Sequence, residues 1–195
     1  MLLFEPDRHA YTYNCRELPS VTQVLSLLED YSGINRDVLK RKALIGTAVH
    51  SACELYLAHD LDESSLHPEV RPYFEQFKIW LATCKFKFQL SEKRVFSKRF
   101  GYAGTLDLHG DFQGRPSLID IKTAASVMPT WGPQTAAYAE ALREETGITT
   151  EKRFALQLTK TGHKLIPLEN KTDINVFYAA LTVTQWRIRH GKHAA

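Results

Sequence analysis

The sequence predicts an α/β protein, on three observations. The stretch from Lys85 to Phe100, KFKFQLSEKRVFSKRF, alternates apolar and polar side chains, the period of a strand. The stretch from Gly104 to Lys122, GTLDLHGDFQGRPSLIDIK, holds two more alternating runs, Ala103–Leu108 and Pro116–Lys122, around a turn containing Gly110 and Gly114. Segments on either side instead space their apolar residues for a helix face, as Val70, Phe74, Phe77 and Leu81 do.

The chain has 195 residues, which suits one domain over 1–195: a hairpin plus a helical region over 1–85, then a sheet with helices over 86–195. Hydrophobic content of 44% and charged content of 24% are those of a soluble globular protein, and a net charge of +3 permits a polyanionic partner without demanding one. Cys15, Cys53 and Cys84 are odd in number and form no CxxC, so a reducing interior is expected. No apolar run reaches membrane-spanning length and no signal-peptide pattern opens the chain, so a cytoplasmic location is expected.

In chain order, LLFEPDRHAYTYN reads as a small hairpin about a Pro-Asp turn. Ser20 then opens a helix whose stripe is Val21, Val24, Leu25 and Leu28, and Gly33 breaks it. Ser20 and Thr22 either cap that helix or contact phosphate. A second helix spans about Arg36 to His59; its start is basic (Arg36, Lys40, Arg41, Lys42), and its later part, IGTAVHSACELYL, is apolar enough to be largely buried. A third helix runs from about Pro68 to Cys84. In the following strand Lys93, Arg94, Lys98 and Arg99 form a basic face, which either blocks edge-to-edge pairing or meets a phosphate backbone. After the hairpin, QTAAYAEALREE is helical and Gly147 ends it. KRFALQLTK and HKLIPLE are two strands joined at a Thr-Gly turn. A last helix covers about Thr172 to Arg189, with Val176, Phe177, Ala180 and Val183 as its stripe, followed by a basic tail.

The hairpin carries the chemistry. Strand alternation puts Asp120 and Lys122 on one face and Ile121 on the other, and in-register pairing brings Asp107 to the same side. Two carboxylates beside an ammonium suit a hard cation and a water oriented by the lysine. His50 and Glu54 lie one helical turn apart; His50 is either satisfied by a neighbouring carbonyl or carboxylate, or is a further cation ligand. Gln134 and Tyr138 share a face near a helix N-terminus, where a phosphate is readily held.

The order Gly46-x-x-x-His50, Glu92, Gly104-x-x-Asp107, Asp120-x-Lys122, Gln134-x-x-x-Tyr138 resembles the PD-(D/E)xK nuclease superfamily, in its RecB-like exonuclease branch. Pro19-Ser20-Val21-Thr22, IDIKT and QTAAYA look most like the mitochondrial genome maintenance exonucleases and their phage-encoded relatives. The resemblance implies a restriction-endonuclease-like fold, a central mixed sheet flanked by helices. It also implies metal-dependent hydrolysis of DNA, at ends or single-stranded tails, in recombination, repair or phage DNA metabolism. By residue it implies that Asp107, Asp120 and the Ile121 carbonyl hold Mg²⁺ or Mn²⁺, one ion or two. Lys122 would activate water, His50 would ligate or steer a metal, and Gln134 and Tyr138 would orient the DNA or the lysine. Glu92 would serve as the auxiliary acid, with Glu54 as its rival. Ser20, Thr22, Arg41, Lys42, Arg94, Lys98, Thr123 and Trp131 would touch DNA, Trp131 either stacking on a base or packing on its helix. Four cysteines for an iron–sulfur cluster are lacking, as is a GxxxxGK[ST] motor motif. The expected protein therefore works alone or beside a separate recombination or annealing protein. A structure- or sequence-specific endonuclease and an inactive nucleic-acid-binding module are the alternatives.

Overall fold

The computed structural model describes residues 2–5, 8 and 10–191. Its centre is a five-stranded mixed sheet in the order β4 (Phe86–Ser97), β5 (Tyr102–Phe112), β6 (Arg115–Lys122), β7 (Lys152–Leu158), β8 (His163–Pro167). All neighbours are antiparallel except β6 and β7, which are parallel, so the chain must cross over between them. Helix α4 (Trp131–Thr146) makes that crossing and ends at Gly147, whose φ of 77° is the left-handed C-cap the sequence predicts.

The two faces of the sheet build two apolar cores. On one face α1 (Val21–Leu25), α4 and α5 (Asp173–His190) enclose Val24, Leu106, Leu118, Leu142 and Phe177. On the other, α2 (Arg36–Leu57) and α3 (Arg71–Thr83) enclose Cys53, Phe74, Phe77, Ile119 and Ile121. Helices on both faces of a mixed sheet are the α/β arrangement expected of a restriction-endonuclease-like fold. A separate antiparallel sheet of β1 (Leu2–Glu5), β2 (Ala10–Tyr13) and β3 (Arg16–Leu18) packs Tyr11 and Leu18 on Ala103. The Pro-Asp turn expected at 6–7 lies outside the described residues, as do 192–195 of the basic tail.

Four local expectations are corrected. The hairpin strands are longer than expected: β5 runs through Gly110, and the turn is the pair Gln113 (φ 57°) and Gly114 (φ 81°), which fits a tight primed turn. Gly110 pairs within the sheet, and the position requires glycine because a Cβ there would stand 2.2 Å from the Lys87 carbonyl oxygen. The first helix is only Val21–Leu25, continued as a 3-10 turn over Ser26–Leu28, so Leu28 ends 50% exposed. The later half of α2 buries only Val49, Ala52, Cys53 and Leu57, because the sheet and α3 cover one side of it alone. In α5 the buried set is Phe177, Ala180 and Leu181, while Val176 and Val183 face outward.

Candidate active site

Strand alternation delivers Asp120 and Lys122 to one face of β6 while Ile121 enters the α2/α3 core. The β5–β6 ladder ends at the pair Leu108 and Ile119, so the next position sets Asp107 across from Asp120. There the Asp107 carboxylate takes over from the ladder, and its Oδ2 accepts the Ile121 N–H at 2.6 Å. Leu106 and Leu108, two apart on β5, belong to opposite cores, so the strand's alternation breaks at Asp107. On β4, Glu92 holds a φ of 45°, a left-handed backbone that is costly for a side-chain-bearing residue and, inside a strand, marks a local break.

Helix α2 brings His50 over this break. Its Nδ1 is 3.2 Å from Asp107 Oδ1 and 4.0 Å from Glu92 Oε1. His50, Glu92 and Asp107 each offer a ligand atom within 4.8 Å of the others, a set of two carboxylates and one imidazole. Glu54 is exposed on the same helix, so Glu92 is the acid that joins the cluster.

A second group adjoins it. The Lys122 ammonium is 2.7 Å from Asp120 Oδ2 and donates to Gln134 Oε1 at 2.7 Å. Gln134 Nε2 donates to Asp120 Oδ1 at 3.3 Å and to the Tyr138 hydroxyl at 3.1 Å. This fixes the amide: turned over, it would set its NH₂ against the ammonium and its oxygen against the carboxylate. The Tyr138 ring lies so close to Gly104 that a Cβ there would fall 2.5 Å from its Cε1, so the glycine of Gly104-x-x-Asp107 makes room for the tyrosine.

Burial pushes the Asp120 carboxyl up to about 6 against the opposing pull of Lys122. Burial and the Asp107 charge push Glu92 up to about 8. Burial works against charge on His50, but Asp107, Asp120 and Glu92 outweigh it and raise the imidazole to about 9. A cluster that retains protons in this way is electron-rich and short of cations. Asp120 Oδ2, buried, also accepts no well-aligned hydrogen bond even though the ammonium is close. Both observations and the hard oxygen donors fit Mg²⁺ or Mn²⁺.

Of the residues expected from sequence, Ser20, Thr22, His50, Glu92, Asp107, Asp120, Lys122, Gln134 and Tyr138 line one cavity of about 580 Å³. Ser20 also caps α1, accepting the Gln23 N–H at 3.1 Å while its own N–H donates to Gln23 Oε1, which is the capping reading. Thr123 Oγ1 stands against Gly46 of α2. Trp131 is buried, 5.9 Å from the Lys122 ammonium, which is the packing alternative. Arg41 pairs with Glu69 at 2.7 Å, Arg94 lies over the Phe4 ring, and neither they nor exposed Lys42 and Lys98 line the cavity. Sequence reasoning missed Tyr11 and Thr105, whose hydroxyls meet at 2.8 Å on the cavity wall. They are 94 positions apart, and no local pattern links them. A larger cavity, about 690 Å³, lies between α4 and β7, away from these groups.

The fold is similar to that of a protein from Eubacterium rectale provisionally described as an exonuclease, with a TM-score of 0.51 and 13% identity over 77% of this chain and 68% of that one. A looser likeness, at a TM-score of 0.40 and 12% identity, covers 74% of this chain and 71% of SSO0001. No protein-family model and no curated protein matches the sequence. At 13% identity the first of these likenesses speaks for the fold alone.

Proposed function

We propose that this chain is a Mg²⁺- or Mn²⁺-dependent deoxyribonuclease of the RecB-like branch, an exonuclease acting on DNA ends or single-stranded tails. The observation that carries the reading is the convergence of His50, Glu92, Asp107, Asp120, Lys122 and Gln134 in one cavity of about 580 Å³. His50, Glu92, Asp107 and Asp120 would hold the cation, with the Ile121 carbonyl as a further candidate. The bound cation would supply charge neutralisation at the phosphate and a more acidic water. Lys122, anchored between Asp120 and Gln134, would orient or activate that water. Gln134 holds the lysine in register with Asp120, and Tyr138, packed on Gly104, holds Gln134. Ser20 and Thr22, which line the same cavity, would offer hydroxyls to a phosphate.

The test is degradation of end-labelled DNA with Mg²⁺ or Mn²⁺ by the parent, Asp120→Ala and Lys122→Ala, with circular dichroism to check folding. Each substitution is expected to lower the rate at least ~100-fold. Equal rates in all three overturn the reading. Intact closed circular DNA supports the exonuclease mode, and its cleavage assigns the endonuclease mode instead.

A further inference from the structure

The end of α5 combines features that the fold does not need. Of the three tryptophans, Trp80 and Trp131 are each 3% exposed, whereas Trp186 is 58% exposed. One turn further on, the His190 ring supports the indole from one side, with centroids 5.2 Å apart. No acidic residue occurs from Ile174 to Gly191, while Arg187, Arg189 and His190 crowd the last turn. Arginines there offset the helix macrodipole, but that role asks nothing of an exposed indole beside them.

We propose that this helix end, with Arg16, is a platform for single-stranded nucleic acid, Trp186 stacking on a base and Arg16, Arg187 and Arg189 meeting phosphates. Arg16 belongs to the same surface: with Pro19, Gly101, Gln185, Ile188 and Arg189 it lines a small hollow of about 90 Å³. Gln185 Nε2 donates to the Phe100 carbonyl at 2.7 Å and pins the helix there. Glu17 also borders the hollow, but Arg8 pairs with it at 3.4 Å. Among the described residues, no carboxylate forms an ion pair with Arg16, Arg187 or Arg189. Pro19 is bonded to Ser20, and Ser20 lines the candidate active-site cavity, so the hollow beside Arg189 and that cavity border adjacent residues of the chain.

Charge and geometry select the occupant. Guanidinium groups without an ion pair among the described residues call for a polyanion, and a second copy of a chain of charge +3 would bring like charge to like. An indole stacks on an exposed base face, which a single strand offers and a duplex conceals. The platform's role of leading a strand to the site rests on the nuclease reading; the binding itself does not.

The test uses the full chain in EDTA, so that binding is read without cleavage, with an oligothymidylate of about 16 nucleotides as probe. The strand is expected to quench the emission of exposed Trp186. Trp186→Ala should abolish the quench and weaken binding roughly five- to a hundred-fold, and Trp186→Phe should restore most of the binding, read by anisotropy of a labelled strand. Arg187→Gln with Arg189→Gln should lower the slope of log affinity against log salt by about 1.4. A duplex of equal length should give no quench that depends on Trp186. Parent-like binding and quenching in Trp186→Ala overturn the platform, and so does light scattering that shows a dimer lost with Trp186. Platform binding by a chain that cuts no DNA in Mg²⁺ or Mn²⁺ overturns the nuclease reading alone. Cleavage without Trp186-dependent binding overturns the platform alone.

Discussion

At the scale of single residues, the titratable groups of the site hold their protons more tightly than they would in solution. His50 at about 9, Glu92 at about 8 and Asp120 at about 6 all lie above their ordinary values of 6.5, 4.5 and 3.8. A group raised on folding stabilises the fold fully below its unfolded pKa and loses that contribution as pH rises through the folded one. All three therefore act in the same direction, and the metal-free protein is expected to lose stability between about pH 4 and pH 9. Thermal melts in EDTA across that range measure it; a flat or rising profile contradicts it. Glu92→Gln should melt higher than the parent at pH 9 and lose the advantage near pH 4. Because a cation takes the place of these protons, Mn²⁺ binding at pH 7 should release protons. Calorimetry in buffers of different ionisation enthalpy reads that release directly.

Among the elements, the break in β4 and β5 matters most. A regular pair of strands would send alternate side chains to the two cores. The left-handed backbone at Glu92 and the switch of core between Leu106 and Leu108 instead turn two acids toward His50 of α2. Helix α4 completes the site from the other face, and its fit depends on a missing side chain. A methyl group at Gly104 would collide with the Tyr138 ring, which cannot retreat from a buried position. Gly104→Ala is expected to cost about 1–3 kcal/mol by overpacking and to slow cleavage by displacing Gln134. Denaturant melts and rate measurements check both. A variant of parental rate would show that the Tyr138–Gln134 bond does not position Lys122.

For the whole molecule, the two apolar cores share β5 and β6, so neither survives loss of the sheet. One cooperative transition over 1–195 is expected, with fluorescence and circular dichroism coincident; two separated transitions would contradict one domain. Cation binding should raise that transition as a unit. At a concentration 100-fold above Kd the gain is about 2.7 kcal/mol, roughly 5–11 °C for a chain of this length. Asp107→Asn should abolish the shift, since Asp107 joins the His50 cluster to β6. No helix among the described residues is long and apolar enough to cross a membrane.

The sequence by itself determined the elements and the identity of the central groups. Period-two and period-3.6 patterns are local, and so are Ser20 as a cap, Gly147 as a stop and the opposite facing of Asp120 and Ile121. Asp107 opposite Asp120 followed from pairing the hairpin. The tertiary structure alone decided what depends on contacts between distant segments. It placed Tyr11 against Thr105 and Glu92 rather than Glu54 beside His50. It buried Trp131 and left Trp186 in solvent, and it turned Val176 and Val183 outward. A hydrophobic stripe states how much surface a helix can bury; only packing against the other elements decides which surface is covered.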